Sequence, residues 1–420
     1  MTFGSLIFLI AVLHTLLANS LTRLSRRFPH HSPAERSFHL LGEVEVILGF
    51  WAGIFVIGSS FTVGFETALL KLSSLNFNEP CFVAAVMIVA ATKPITSASS
   101  YLIERLARIL PIPFPAAMVM CCLSLGPLLG SLITEPAAMT VTALILRDRL
   151  FSRKCSQRLK YAVLGTLFVN ISIGGVLTHF AAPPVVMVAR TWEWTTLFMM
   201  THFGEKAVLA VLSNVGLLAV IHWKELTASH GPLSARNEGP ASKMPPLWLL
   251  SLHLAALAAI VATSHFPSFF AGVLIFFIGS TIVTRDYQSE LRLKEALLVG
   301  FFLAGLVVLG DEQHWWVSPL IPTLTAGQMF AGAAALTSVM DNAAITFLAS
   351  KVDALSEALK YAVVAGAVVG GGITVIANAP NPVGFAILRD GFEDSSISPL
   401  KLALSALMPT LIAAACFWLL

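Results

Sequence analysis

Charge is scarce in this chain. Only 12% of its 420 residues are Asp, Glu, Lys or Arg, while 56% are hydrophobic; soluble domains carry about 25% charged residues. Such a chain has no polar coat with which to face water on every side, so the composition points to an integral membrane protein whose first partner is the lipid bilayer. Cysteine is sparse and odd in number: Cys81, Cys121, Cys122, Cys155 and Cys416 sit mostly in apolar runs, with no Cys-x-x-Cys or Cys/His spacing. That argues against a disulfide framework or a thiolate metal centre. Basic excess is also missing. The net charge is +3, and Lys and Arg gather in short loops rather than on one face, which is an orientation signal and not a nucleic-acid footprint. One long hydrophilic segment exists, His222 to Pro245.

What is present is apolar runs. A spanning helix needs about 20 largely apolar residues. Spans are expected near 2–21, 39–61, 80–91, 161–189 (with a break) and 202–221, then after the linker near 247–263, 267–283, 296–310, 361–388 (with a break) and 399–420. The first is read as a retained helix rather than a secretory signal, because its basic residues, Arg23, Arg26 and Arg27, follow the apolar run. The segment 95–110 is amphipathic, with Leu102, Ile103, Leu106, Ile109 and Leu110 on one stripe and Glu104, Arg105 and Arg108 off it, as in a helix lying in the interface.

Two further apolar stretches carry an acid. Ser338-Val-Met-Asp-Asn-Ala-Ala-Ile-Thr346 holds Asp341 and Asn342, and Ser131-Leu-Ile-Thr-Glu-Pro-Ala-Ala-Met-Thr140 places Glu135 at the position 206 residues earlier. A carboxylate at bilayer depth costs roughly 2.5–3.5 kcal/mol even on the mild insertion scale, so it marks a functional site by default. Too few residues separate Asp341 from Lys351 to cross a bilayer. Both stretches are therefore read as re-entrant hairpins, about 113–146 and 326–350, with the acid at the tip. Basic segments flank the first on both sides, as a chain returning to its side of entry requires. Irregular backbone at depth is tolerated where it is buried or lines a cavity.

The halves repeat. Leu159-Lys-Tyr-Ala-Val163 equals Leu359-Lys-Tyr-Ala-Val363, each just after a hairpin and each opening a span that breaks at Gly and Pro: Ile173-Gly-Gly-Val-Leu-Thr-His-Phe-Ala-Ala-Pro-Pro184 and Gly370-Gly-Gly-Ile-Thr-Val-Ile-Ala-Asn-Ala-Pro-Asn-Pro382. Paired interruptions of this kind are the best sequence pointer to a transporter site. Thr134, Thr178, His179, Asn378 and Asn381 supply oxygens and nitrogens beside the acids. The expectation is an all-α polytopic membrane protein: about ten transmembrane helices plus two re-entrant hairpins, arranged as two inverted-topology repeats (1–221 and 246–420) with broken helices, joined by a cytoplasmic linker at 222–245. With both termini outside, 20 of the 26 Lys and Arg fall on inner segments, as expected of a bacterial inner-membrane protein.

The pattern resembles the ion transporter superfamily of arsenite efflux pumps, sodium/proton antiporters and sodium-coupled dicarboxylate carriers. Met340-Asp-Asn-Ala343 resembles the Leu-Asp-Asn-small tip of the first two. Thr134-Glu-Pro-Ala-Ala-Met-Thr140 and Ala377-Asn-Ala-Pro-Asn-Pro382 resemble a sodium/proton antiporter family within it. The first half departs from the superfamily pattern, with Glu-Pro at its tip. The resemblance implies a homodimer whose scaffold is the first two spans of each half, Na+ and H+ as transported ions, and no resident cofactor.

The mechanism implied is exchange at carboxylates facing one cavity, where a proton and Na+ compete for the same oxygens. Asp341, Asn342 and Asn378 are read as the Na+ ligands, with Asp341-Asn342 the better candidate for the ion and Glu135 for the proton. The competing reading is that each acid pairs with a neighbour merely to hold its tip, and that His179 only satisfies a freed carbonyl. Glu43 and Glu45, early in the second span, read as solvated; Lys93 reads as a snorkelling residue. An anion or metalloid exporter of the arsenite type is the alternative transporter. A membrane enzyme is the alternative class, but neither acid sits in Gly-x-Gly-Asp and no His-Glu-x-x-His is present.

Overall fold

The computed structural model describes residues 2–25, 27–29, 31–153, 155–228 and 245–420. Helix is the only regular structure among them, and the chain is an all-α polytopic membrane protein, the class in which each spanning segment satisfies its own backbone. The first half runs α1 (Phe3–Ser25), α2 (Pro33–Leu41), α3 (Val44–Val63), α4 (Phe65–Ser74), α5 (Asn78–Ala90), α6 (Lys93–Ile109), α7 (Phe114–Ile133), α8 (Glu135–Leu146), α9 (Gln157–Gly174), α10 (Pro183–Ala189), α11 (Thr196–Met199) and α12 (Glu205–Thr227). The second runs α13 (Leu247–Ala262), α14 (Pro267–Val283), α15 (Leu293–Asp311), α16 (His314–Leu320), α17 (Ala326–Thr337), α18 (Asn342–Ser350), α19 (Glu357–Gly370), α20 (Asn381–Leu388) and α21 (Pro399–Leu419).

Six segments are long and apolar enough to cross a bilayer: α3, α7, α9 with its continuation to Leu177, α11–α12 as one 32-residue segment, α15 and α21. The pair α4–α5, bent by 61°, makes a seventh if taken as one span, and α1, α13 and α14 carry shorter apolar stretches. Several expected boundaries shift. The span expected from residue 39 starts at Val44, because Ser32 caps α2, accepting from the Glu35 N–H at 3.1 Å, and α2 ends at Gly42. The last span of the first half continues to Thr227 through a kink at His222 (φ −112°, ψ 17°). Residues 229–244, the body of the expected linker, lie outside the described residues. On α6 the buried face is Ile95, Ser99, Ile103 and Ala107. Of the expected apolar stripe, Leu102, Leu106 and Ile109 are exposed on the protein, where lipid can cover them.

The acid-bearing segments fold back. Gly126 of α7 faces Thr142 of α8 and Gly130 faces Ala138, an antiparallel register centred on Thr134, and small residues let the arms approach. Beside it α9 runs parallel to α7: Asn170 Nδ2 donates to the Leu123 carbonyl at 2.8 Å, and Gly174 lies against Pro127. The cause is local. Pro127 has no N–H, so the carbonyl four residues earlier, that of Leu123, loses its helical partner; the Asn170 amide replaces it. Asn214 of α12 then donates to Asn170 Oδ1 at 2.8 Å.

The second half repeats the parallel pair. Gly366 and Gly370 of α19 lie on the carbonyls of Phe330 and Ala334 of α17. Because α17 and α19 run the same way, α18 must return the chain along them. Its nine residues span about 14 Å and the twelve of α8 about 18 Å, both short of a 30 Å hydrocarbon core. The arms differ between halves. α7 and α8 pack along their length, whereas α18 leans away from α17 onto α10, α15 and α19. The later parts of the broken segments cross over: α10 packs on α18, and α20 packs on α8.

A second group of helices packs against this crossed set where α15 meets α18. α3 packs on α15 where Gly305 approaches the Leu48–Gly49 backbone, and α1 packs on α3. One end of this group is tied by Lys351 to Asp311 at 3.0 Å and by Lys71 to Glu312; at the other end Lys294 lies 3.5 Å from Glu43.

Candidate functional site

Glu135 is the first residue of α8, and the turn that delivers it is strained. Thr134 has φ 71° and ψ 149°, a region that is essentially glycine-only and costs of order 1–3 kcal/mol. Thr134 is buried and its hydroxyl has no partner. Ser131, one turn back, ties the tip to the broken helix beside it. Its hydroxyl donates to the Gly174 carbonyl at 2.7 Å and accepts the Leu177 N–H at 2.9 Å, and its own carbonyl accepts the Thr178 hydroxyl at 2.6 Å. The second half makes the same contact, with Thr374 donating to the Ser338 carbonyl at 2.8 Å.

Glu135 points away from its own tip toward the other half. Asn378, in the break between α19 and α20, donates through Nδ2 to Glu135 Oε2 at 2.8 Å. The carboxyl rests against Gly175, where a Cβ would lie 2.5 Å from Glu135 Cγ and Oε1. Glycine is required there to leave room for the acid.

Asp341 caps α18, accepting the Ala343 N–H at 2.8 Å; the N–H groups of Ala344 and Ala379 also face it. A helix N-terminus gathers such donors. The neighbouring Asn342 is held by its backbone, donating to the Ala377 carbonyl at 3.1 Å. Its side-chain amide is fully buried beside Gly371, with neither Oδ1 nor Nδ2 paired. Asn381 closes the second break: Nδ2 donates to the carbonyls of Gly371 and Thr374, both at 2.8 Å.

Asp341 and Asn378 line one small cavity together with Glu45, Val44, Val299, Phe302 and residues 375, 376, 379 and 382. Of the eight residues expected in the site, the structure brings Glu135, Asn378 and Asp341 together and sets Asn342, Asn381 and Thr134 around them with unpaired atoms. Thr178 serves the contact to Ser131. His179 lies elsewhere, bonded through Nδ1 to the Thr196 hydroxyl at 2.7 Å and lining a separate cavity with Glu79, Arg190 and His265.

Glu45 is the residue sequence reasoning missed. It lies in the first turn of α3 and reads from sequence as a solvated span end, but it faces the Asp341 cavity. The usable signal was its place inside the apolar run that begins at Val44. Among the described residues, Glu135 and Asp341 have no lysine or arginine partner, so Lys93 does not neutralise Glu135. No three His, Cys, Asp or Glu among them gather as a metal-binding group.

Of the 13 buried side-chain polar atoms without a partner among the described residues, six belong to Thr134, Glu135, Asn342, Asn378 and Asn381. Each such atom costs roughly 1–3 kcal/mol. Concentrating them at two helix breaks between two buried acids makes a site able to bind a small cation or a proton, with charge on the carboxylates matched by one or the other.

A multi-pass helical protein that buries two carboxylates and three amides where its own helices break is an ion-transport protein. The chain belongs to the family described as "Putative Na+/H+ antiporter", whose model matches residues 1–420, the whole chain. The comparison with curated proteins finds no match.

Proposed function

We propose that the protein exchanges Na+ for H+ by alternating access at a site built from Asp341, Asn342, Asn378 and Glu135. The observation that carries this reading is the contact of Asn378 with Glu135. An amide from the second half's break is bonded to the first half's acid and lines a cavity with the second half's acid. One amide thus touches both acids' surroundings, so ligand bound at one carboxylate is felt at the other. Asp341 lies among several backbone N–H groups and next to the unpaired Asn342 amide; it is the ion-binding acid. Glu135 has one amide partner and a free Oε1 and holds a proton of its own, while at Asp341 a proton and Na+ compete for the same oxygens.

The two halves act as inverted repeats whose acid-bearing segments are re-entrant hairpins. Support comes from the parallel pairs α7/α9 and α17/α19, the matching threonine contacts to Ser131 and Ser338, and the crossed packing of α10 on α18 and α20 on α8. Alternating access then moves the crossed set against the α1–α3–α15 group.

In everted membrane vesicles carrying a pH gradient, added Na+ dissipates the gradient, and Asp341→Asn abolishes that response. Normal exchange by the Asp341→Asn protein would overturn the assignment. A wild-type response to an arsenite or other oxyanion gradient, with none to Na+, would favour the exporter.

A further inference from the structure

The cavity beside Asp341 is lined by a further acid, contributed by the opposite group of helices. Glu45 stands in the first turn of α3 and shares with Asp341 and Asn378 the cavity walled by Val299 and Phe302 of α15. The cavity is a ligand site on independent grounds: Asn378 lines it, is 1% exposed, and its Oδ1 has no partner. Beyond Glu45, away from Asp341, Glu43 lies 3.5 Å from Lys294 and 3.4 Å from His39. These groups are partly exposed to solvent, while Asp341 is buried. The acids therefore form a graded series: Glu135 deepest in the crossed set, Asp341 on the cavity, Glu45 across it, and Glu43 at the wet end of α3. The charged and titratable groups facing Glu45 are Glu43 on its own helix, Lys294 on α15 and Asp341 at the start of α18.

We propose that Glu45 is the proton outlet of the exchange site, receiving the proton that Asp341 gives up when Na+ binds and releasing it at the Glu43–Lys294 end. The step balances without a co-reactant. The Asp341 O–H bond breaks as a Glu45 O–H bond forms, Na+ takes the charge left on Asp341, and Glu45 then loses the proton to water at the rim. Glu45 rides on α3 and Asp341 on α18, so relative movement of the two groups would make or break this handover, confining it to one face of the membrane.

The inference rests on the exchange reading above, and two transport modes separate their fates. Purified full-length protein is reconstituted in liposomes and assayed for pH-driven 22Na+ uptake and for 22Na+/Na+ counterflow, which moves the Na+-loaded site in both directions and needs no proton release. Glu45→Gln is expected to lose pH-driven uptake by on the order of 100-fold, the scale of a lost proton-transfer group, while keeping counterflow close to wild type; Glu45→Asp restores most of the uptake. Unchanged pH-driven uptake in Glu45→Gln, or equal losses in both modes, would overturn the outlet role and leave the exchange reading standing. A wild type silent in both modes overturns the exchange reading, and the outlet with it.

Discussion

Asn378 and Glu135 are 243 residues apart in the chain and 2.8 Å apart in the fold. The amide comes from the break after α19 and the acid from the start of α8, so a hydrogen bond between side chains joins the two halves where each interrupts its helices.

Removing that bond should therefore weaken both fold and exchange. Asn378→Ala leaves a buried carboxyl with no protein partner, at a cost of about 1–3 kcal/mol. The expected outcome is a lower unfolding temperature in detergent together with a raised Na+ concentration for half-maximal proton efflux. An unchanged Na+ dependence would separate Asn378 from the ion site.

The glycine beside Glu135 gives a sharper probe. Gly175→Ala places a Cβ 2.5 Å from Glu135 Cγ and Oε1, a contact that is relieved when the side chain moves. Because the obstacle is a flexible side chain rather than backbone, the protein should fold, and exchange should fall by roughly tenfold or more, the scale of a small misplacement of reacting groups. Vesicle proton flux against expression level measures this, and full activity would show that the acid's position is not critical.

Thr134 separates strain from ligation. Thr134→Gly releases about 1–3 kcal/mol of backbone strain, offset by roughly 0.5–1 kcal/mol of added chain entropy, so its unfolding temperature should equal or exceed wild type. Thr134→Val keeps the strain and removes the hydroxyl. If that unpaired hydroxyl serves the ion, both variants lose Na+ affinity, whatever each does to stability. Equal Na+ titration curves for all three proteins would assign Thr134 to the turn alone.

The repair of Pro127 is testable by a double-mutant cycle. Asn170→Leu strands the Leu123 carbonyl and should destabilise the wild-type background by about 1–3 kcal/mol. In a Pro127→Ala background the restored backbone N–H can take that carbonyl back, so the same change should cost less, with a coupling of about 0.5–3 kcal/mol. Additive losses, read from chemical unfolding of the purified protein, would contradict the proposed partnership.

Much of this arrangement is legible in the sequence because lipid penalises charge. Glu135 and Asp341 stand out in apolar runs, and the Gly/Pro breaks near residues 175 and 375 stand out as helix interruptions; the structure brings both acids to the second break. Asn342 and Asn381 are found by the same reasoning. What is not legible depends on direction. Glu45 looks like any acid at a span end until α3 is seen to start at Val44 and to turn that residue inward. His179 occupies a break as expected, yet its ring faces Thr196 and a different cavity, which no spacing rule reveals. The different arms of the two folded-back segments also escape the sequence, because the lean of α18 is set by α10, a helix from the other half.

The line from Leu123 through Asn170 to Asn214 began as compensation for one proline. It also has a mechanical meaning. Three helices, α7, α9 and α12, are pinned to each other by two buried amides, so bending any one of them apart from its neighbours would strand a carbonyl. The trio is a strut. In the exchange cycle proposed above, force applied at the Glu135 tip would be passed along its length as translation instead of being absorbed as flexure, and a defect in one helix would become the stiffness of the moving part.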